Sequence, residues 1–329
     1  MKHWLFIILM AAGAGLVLQG CKSVESNDRY ENGKLKWKGP MKNGQRVGQW
    51  EEYYESGKLS AKGFYEAGVK TGEWQEFDEE TAAMNGKGKY AQGSKDGVWQ
   101  YYYPSGKVEQ LHTWANRRKN GPAIKFFEEG ATNSVVMMSN GKEEGTYRQY
   151  SPNGGVIAEG NYTNGFKTGV QTFFDAKGLV KEKGRVETDS KKKTTKEGPW
   201  EFYKAGVLVF KTTFINDITN GECMSYHANG QLEYKVMMVS NNRVGPETAF
   251  YPDGNKKSEG VYVNGSRDGE WKFYSPKGYL SEKGPFISGQ KNGAFETYYP
   301  DGTVRSKGLY ETGKQKGVWV FFEPNGKDR

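Results

Sequence analysis

The sequence predicts an all-β protein, an elongated antiparallel β-meander of about twelve 24-residue hairpins, twisted or partly rolled. Three observations lead there. Glycines recur at Gly48, Gly72, Gly97, Gly121, Gly145, Gly169, Gly198, Gly221, Gly245, Gly269, Gly293 and Gly317, with spacings of 24, 25, 24, 24, 24, 29, 23, 24, 24, 24 and 24 residues. Five residues after each stands an aromatic: Tyr53, Phe77, Tyr102, Phe126, Tyr150, Phe174, Tyr203, Tyr226, Phe250, Tyr274, Tyr298 and Phe322. With 17 Phe and 21 Tyr in 329 residues, chance does not fill twelve such positions. Finally, no segment after the N-terminus sustains an apolar period of about 3.6 residues, so no helix is expected there.

Each unit reads as two short strands and two turns. In one unit Trp271-Lys-Phe-Tyr274 leads into Ser275-Pro-Lys-Gly278, where Pro presets φ and Gly accepts a positive φ. A second run, Tyr279 to Phe286, leads through Ser288-Gly-Gln-Lys-Asn-Gly293 into the next unit. An isolated hairpin is marginal in water, so each must pair with its neighbours into one quasi-one-dimensional array. Composition agrees. Only 35% of residues are apolar, yet 14% are aromatic and 45 are glycine, which suits a thin sheet bulked by rings rather than a thick aliphatic core.

A Trp follows the register glycine by two at Trp50, Trp74, Trp99, Trp200, Trp271 and Trp319. Tyr147 and Phe295 substitute there; Ala123, Gln171, Cys223 and Glu247 do not, which predicts a shallower, differently packed middle. The offset of three from this position to the constant aromatic places the two on opposite faces or requires a bulge. The constant aromatics are expected to be the packed core of the repeat.

The N-terminus is a separate object. A basic start is followed by an apolar and small-residue run from Trp4 to Leu18, shorter than a bilayer span and matching a secretory h-region. Leu18-Gln19-Gly20-Cys21 resembles a bacterial lipobox, which implies diacylation of Cys21 after removal of residues 1–20. Lys22, by the same resemblance, favours the outer membrane. The expected organisation is therefore a signal peptide at 1–20, a tether at 21–28 and a repeat array at 29–329. The mature chain would carry 46 basic and 39 acidic groups, interspersed as on a solvated surface. An exported protein is an unsuitable nucleic-acid partner.

The pattern G-x-W-x-x-Y/F-Y/F-x-x-G-x-L, then K-G-x-Y and N-G-x-x-x-G, resembles the bacterial variant of the MORN repeat over residues 29–329. That variant occurs in proteins labelled YwqK-family antitoxins. The resemblance implies a hairpin array acting as a scaffold.

Material for catalysis is sparse. Beyond His3 only His112 and His227 remain, and His227 reads as a surface residue. Cys223 occupies the Trp position of its unit and reads as packing; with Cys21 acylated it has no disulfide partner. No phosphate-cradling motif or metal-ligand spacing occurs, so no enzyme, cofactor or metal is expected, and a small-molecule substrate is not indicated. The one irregular spacing, 29, comes from an insertion at 185–197 carrying Lys191, Lys192, Lys193 and Lys196. Loops on rigid repeats carry recognition, so these four lysines are the candidate binding residues. The expected function is an outer-membrane lipoprotein scaffold that binds another envelope protein. A lipid- or glycan-binding module and an antitoxin-like toxin binder are the alternatives.

Overall fold

A computed structural model describes residues 22–324, so Cys21 and the leader lie outside the described residues. The described residues are all-β, with twenty-eight strands and no helix. The chain divides into two compact units, one ending at Lys107 and the other beginning at Val108.

The first unit holds β1 (Val24–Arg29), β2 (Leu35–Lys42), β3 (Gln45–Arg46), β4 (Gly48–Tyr53), β5 (Leu59–Glu66), β6 (Val69–Phe77), β7 (Met84–Ala91) and β8 (Ser94–Tyr102). The second opens with β9 (Val108–Ala115), β10 (Arg118–Phe126), β11 (Thr132–Ser139), β12 (Lys142–Tyr150), β13 (Val156–Thr163), β14 (Phe166–Phe174) and β15 (Val180–Thr188). It continues with β16 (Thr194–Lys204), β17 (Val207–Ile215), β18 (Ile218–Thr219), β19 (Gly221–Tyr226), β20 (Leu232–Val239), β21 (Asn242–Phe250) and β22 (Lys256–Val263). The last strands are β23 (Ser266–Tyr274), β24 (Leu280–Ile287), β25 (Gln290–Lys291), β26 (Gly293–Tyr298), β27 (Val304–Glu311) and β28 (Lys314–Phe321). Within each unit, successive strands pair antiparallel. Most run eight or nine residues, longer than the sequence predicts, because they continue through two bulges per repeat.

The first bulge leaves the offset of three between Trp50 and Tyr53 undisturbed, because its extra residue lies on the partner strand. Glu52 faces Ala61 but Tyr53 faces Leu59, so Ser60 is an extra residue on the partner strand. The strand carrying Trp50 and Tyr53 alternates without interruption, and the two rings therefore lie on opposite faces. The second bulge sits at the register glycine. Lys62 faces Gln75 and Phe64 faces Thr71, leaving Gly72, Glu73 and Trp74 opposite the single residue Gly63. All twelve register glycines have positive φ, for example 64° at Gly72. That backbone is open to Gly and strained for other residues, which accounts for the periodic glycine.

Most of the largest fully buried side chains stand two positions after the register glycine. Trp50, Trp74, Trp99, Trp271 and Phe295 are 0% exposed, and Ala123, Tyr147, Gln171, Trp200, Cys223 and Glu247 are also buried. The constant aromatics expected to form the core are instead half-buried on the other face. Each ring lies flat on the backbone of the preceding strand. A Cβ at Gly39, Gly63 or Gly88 would come within 2.5, 2.3 or 2.6 Å of the indole of Trp50, Trp74 or Trp99. The indole N–H donates into the bulge, as from Trp74 to Thr71 O at 3.2 Å and Phe64 O at 3.1 Å.

The units without Trp compensate, which overturns the expectation of a shallower middle. Ala123 faces His112, Tyr147 faces Val136, and Cys223 and Glu247 pack with Thr212 and Val236 where other units have glycine. Gln171 keeps its Gly160 and copies the indole, donating from Nε2 to Thr168 O at 2.9 Å. A large residue on one strand is met by a small one on the next, so the layer stays filled.

Rings and cations alternate along this ladder face. In the first unit Trp37, Trp50, Tyr65, Trp74, Tyr90 and Trp99 follow one another at centroid spacings of 5.1 to 5.6 Å. In this unit a Lys or Arg two residues before the register glycine covers each buried Trp: Arg46 lies 4.6 Å from the Trp50 centroid, Lys70 3.9 Å from Trp74 and Lys95 3.8 Å from Trp99. Edge-to-face pairs contribute about 0.5–1.5 kcal/mol beyond area burial. Half-desolvated cation–π contacts contribute on the order of 1–2 kcal/mol each. A thin sheet with few aliphatics is stabilised by their sum.

Candidate functional site

The opposite, open face differs along the chain. In the first unit its cross-strand pairs are mostly polar: Gln49 with Phe64, Glu51 with Lys62, Glu73 with Lys89 and Gln75 with Lys87. The constant aromatics line it at half burial, and tyrosines among them are tied by their hydroxyls, as Tyr53 to Glu51 at 2.5 Å and Tyr203 to Glu201 at 2.7 Å. Lysines lie over them, Lys62 at 5.6 Å from Phe77 and Lys183 at 5.6 Å from Tyr203. Hydrogen bonds from Tyr203 and Lys183 hold the Glu201 carboxyl below its ordinary range.

In the second unit the pairs become apolar over β10 and β11, with Pro122 opposite Met137 and Ile124 opposite Val135. The cause is local sequence. Val135-Val-Met-Met138 is apolar at four consecutive positions, so it supplies Val136 to the ladder face and Val135 and Met137 to the open face. At the position of Val135 most other repeats carry a charged residue, lysine at Lys62 and Lys87 and glutamate at Glu159 and Glu259.

Next to this apolar patch, β11 to β14 form an open groove of about 540 Å³. Val135, Met137 and Val170 supply apolar lining, and Thr146, Asn161 and Thr172 supply small polar groups. Met137 is 38% and Val170 57% exposed. Across the groove Arg148 donates from Nε and Nη2 to Glu159 Oε2 at 3.0 and 2.8 Å, and this pairing raises the guanidinium pKa further. The charges therefore cancel within the groove, leaving a neutral lining with a rigid, partly exposed polar bar. A volume in the hundreds of cubic ångströms fits a few side chains of a bound partner.

The sequence-predicted binding lysines divide into two groups. The insertion is a continuation of the β15–β16 hairpin, with Thr188 opposite Thr194, rather than a loose loop. Asp189 Oδ1 accepts from the amides of Lys191 and Lys193 at 2.8 and 2.9 Å, and Lys191, Lys192 and Lys193 are exposed on the tip. Lys196 stands apart from them. Its ammonium pairs with Glu182 at 2.7 Å and covers the Trp200 ring at 4.0 Å, which is the ladder role of Lys70 and Lys95.

His227 also departs from the surface reading. It is half-buried, and its Nε2 bonds to Phe250 O at 2.9 Å. Tyr54, Tyr251 and Tyr299 at the same repeat position donate to Phe77 O, Tyr274 O and Phe322 O. These bonds tie consecutive repeats together. Burial raises the Cys223 thiol pKa, so that sulfur is held as a thiol. Burial also raises Glu247, opposed by Arg243, whose guanidinium lies 2.7 Å away. Among the described residues no group of three or more His, Cys, Asp or Glu is placed to hold a metal ion, and no helix is long and apolar enough to cross a membrane.

Fold and site together define a hairpin-repeat protein with an enclosed ladder face and an open, solvent-facing one. Segments 46–67, 95–116, 143–164, 219–239, 243–264 and 291–312 match the MORN repeat variant model. The chain therefore contains repeats of the MORN variant type over these six segments. No curated protein matches it. Among solved structures it is similar to the Photorhabdus luminescens Tc holotoxin pore, at 13% identity and a TM-score of 0.20, over 92% of this chain and 18% of that chain. It is also similar to a TcdB2-TccC3 crystal structure, at 12% identity and a TM-score of 0.19, over 90% and 18% of the two chains. The chain spans under a fifth of those proteins' length.

Proposed function

We propose that this protein is a non-catalytic binding scaffold, anchored by lipid at Cys21 in the outer membrane, which holds another envelope protein on its open face. The single observation that supports this reading is the groove beside the Val135–Met137 patch. It is a concavity lined by exposed apolar side chains, Met137 and Val170, that the fold itself does not use. Apolar patches rimmed by polar groups mark contact sites on soluble proteins. The lipobox resemblance supplies the anchor.

The test is copurification from detergent-solubilised membranes with wild type, Met137→Asp, and Val98→Asp as a control on an exposed apolar residue of the first unit. The reading expects Met137→Asp to lose a partner that wild type and Val98→Asp retain. Equal recovery from all three refutes it.

A further inference from the structure

The groove opens on one side onto a basic strip. Val170 and Thr172 lie directly opposite Arg185 and Lys183 of β15. The stretch from Lys181 to Lys196 contains seven Lys or Arg and three Asp or Glu, a net of +4, which is half of the chain's formal charge of +8. Three of its cations are engaged or partly engaged: Lys183 pairs with Glu201 at 3.0 Å, Lys196 serves the ladder, and Arg185 pairs with Glu187. Arg185 still exposes 61% of its side chain.

Lys191, Lys192 and Lys193 are different. The one acid in their turn, Asp189, directs its Oδ1 to the turn's own amides. Thr188 Oγ1 donates to Lys167 O at 2.8 Å and fixes the base of the hairpin to the neighbouring strand. The tip is thus a rigid mount for three exposed ammonium groups. Arg185 precedes Lys191 by six residues around this hairpin, so the two are separated by roughly 15–20 Å at about 3.3 Å per residue.

We propose that the groove and this basic strip are one docking surface for an extended acidic segment of a protein partner. Aliphatic side chains of that segment enter the groove against Val135, Met137 and Val170. Carboxylates that follow them run along Arg185 to Lys191, Lys192 and Lys193. The proposal rests on the scaffold reading above and adds the chemistry of the partner. A groove whose own charges cancel selects apolar groups, while an uncompensated cationic tip next to it selects anionic ones and accelerates their encounter.

The experiment measures fluorescence anisotropy of a labelled peptide, Leu-Val-Leu followed by six glutamates, against the mature full-length protein in mild detergent. A peptide with glutamines in place of the glutamates and vesicles containing phosphatidylglycerol are the comparison probes. The glutamate peptide is expected to bind at least tenfold more tightly than the glutamine peptide, and to lose affinity as salt is raised. Combined Lys191→Ser, Lys192→Ser and Lys193→Ser should remove most of that difference, and Met137→Asp should abolish binding by both peptides. Val98→Asp should change nothing. Circular dichroism that matches wild type for every variant shows that folding is intact.

Equal affinity for the two peptides overturns the proposal, as does unchanged binding by the Met137→Asp variant. Lysine-dependent vesicle binding without glutamate-peptide binding also overturns it, and assigns the tip to a lipid surface. The two readings fail separately. If the triple lysine variant still copurifies the wild-type partner, the scaffold reading stands and the acidic partner does not. If the glutamate peptide binds but Met137→Asp loses no partner from membranes, the reverse holds.

Discussion

The pairing of each buried ring with a glycine on the preceding strand is open to a direct energetic test at Gly63 and Trp74. Gly63→Ala adds one methyl whose carbon would lie 2.3 Å from the Trp74 ring. Ordinary carbon contacts are about 3.5–4.0 Å, so the ring must retreat by about 1 Å. Retreat is opposed by its N–H, which donates to Thr71 O and Phe64 O, and by Lys70 above it. Overpacking of this kind costs about 1–3 kcal/mol. Stretching the indole hydrogen bonds adds about 0.5–1.5 kcal/mol, for a total near 2–4 kcal/mol. Trp74→Ala alone should cost about 3–5 kcal/mol. In that background the Gly63 methyl occupies space the indole has left, so its cost should vanish and the cycle should show coupling equal to that cost, roughly 2–4 kcal/mol. Urea titration by far-ultraviolet circular dichroism gives the midpoints, and hydrogen exchange of β5 and β6 amides locates the effect. A Gly63→Ala cost that is the same with Trp or Ala at position 74 refutes the paired-volume account.

Three further outcomes follow from the same geometry. Trp271→Ala should destabilise by about 3–5 kcal/mol and Tyr274→Ala by clearly less, because the first ring is enclosed and the second half-buried; equal urea midpoints contradict the assignment of faces. Burial, with the Lys119 ammonium adding to it, pushes His112 down to about 4 from 6.5. The unfolded chain then takes up the proton first, so stability is lost as pH falls from 6.5 towards 4. His112→Gln should flatten the urea midpoint across that window, and an unchanged slope would exclude His112 as its source. Cys21→Ser should abolish labelling by palmitate and release the protein from membranes; retained label would remove the lipid anchor.

The repeat was legible because its glycines and aromatics answer to different local demands, positive φ at a bulge and bulk on a pleated face. Those demands recur with each hairpin and so leave a period in the sequence. Which aromatic is enclosed was not legible. Trp50 and Tyr53 are both bulky aromatics, and the strand's alternation together with Gly39 on another strand decides which of them is covered. The compensation at Ala123, Cys223 and Glu247 was missed for the same reason: the filling residues His112, Thr212 and Val236 belong to the preceding strand. The groove did leave a sign, the unbroken run Val135-Val-Met-Met138, but Val236-Met-Met-Val239 shares that pattern, so the run alone does not mark the site. Lys196 looked like part of a basic loop by proximity in sequence, although its place two residues before Gly198 is that of the ladder cations.

The most direct measurement of whether the open face of the second unit is the contact surface is photo-crosslinking in intact cells. A photoreactive amino acid is placed at Val170 in the groove, and separately at Val98 on the open face of the first unit. The account predicts one discrete crosslinked protein species from Val170, lost when Met137→Asp is added, and none at comparable yield from Val98. A species captured equally from both positions, or one from Val170 that persists with Met137→Asp, would contradict it.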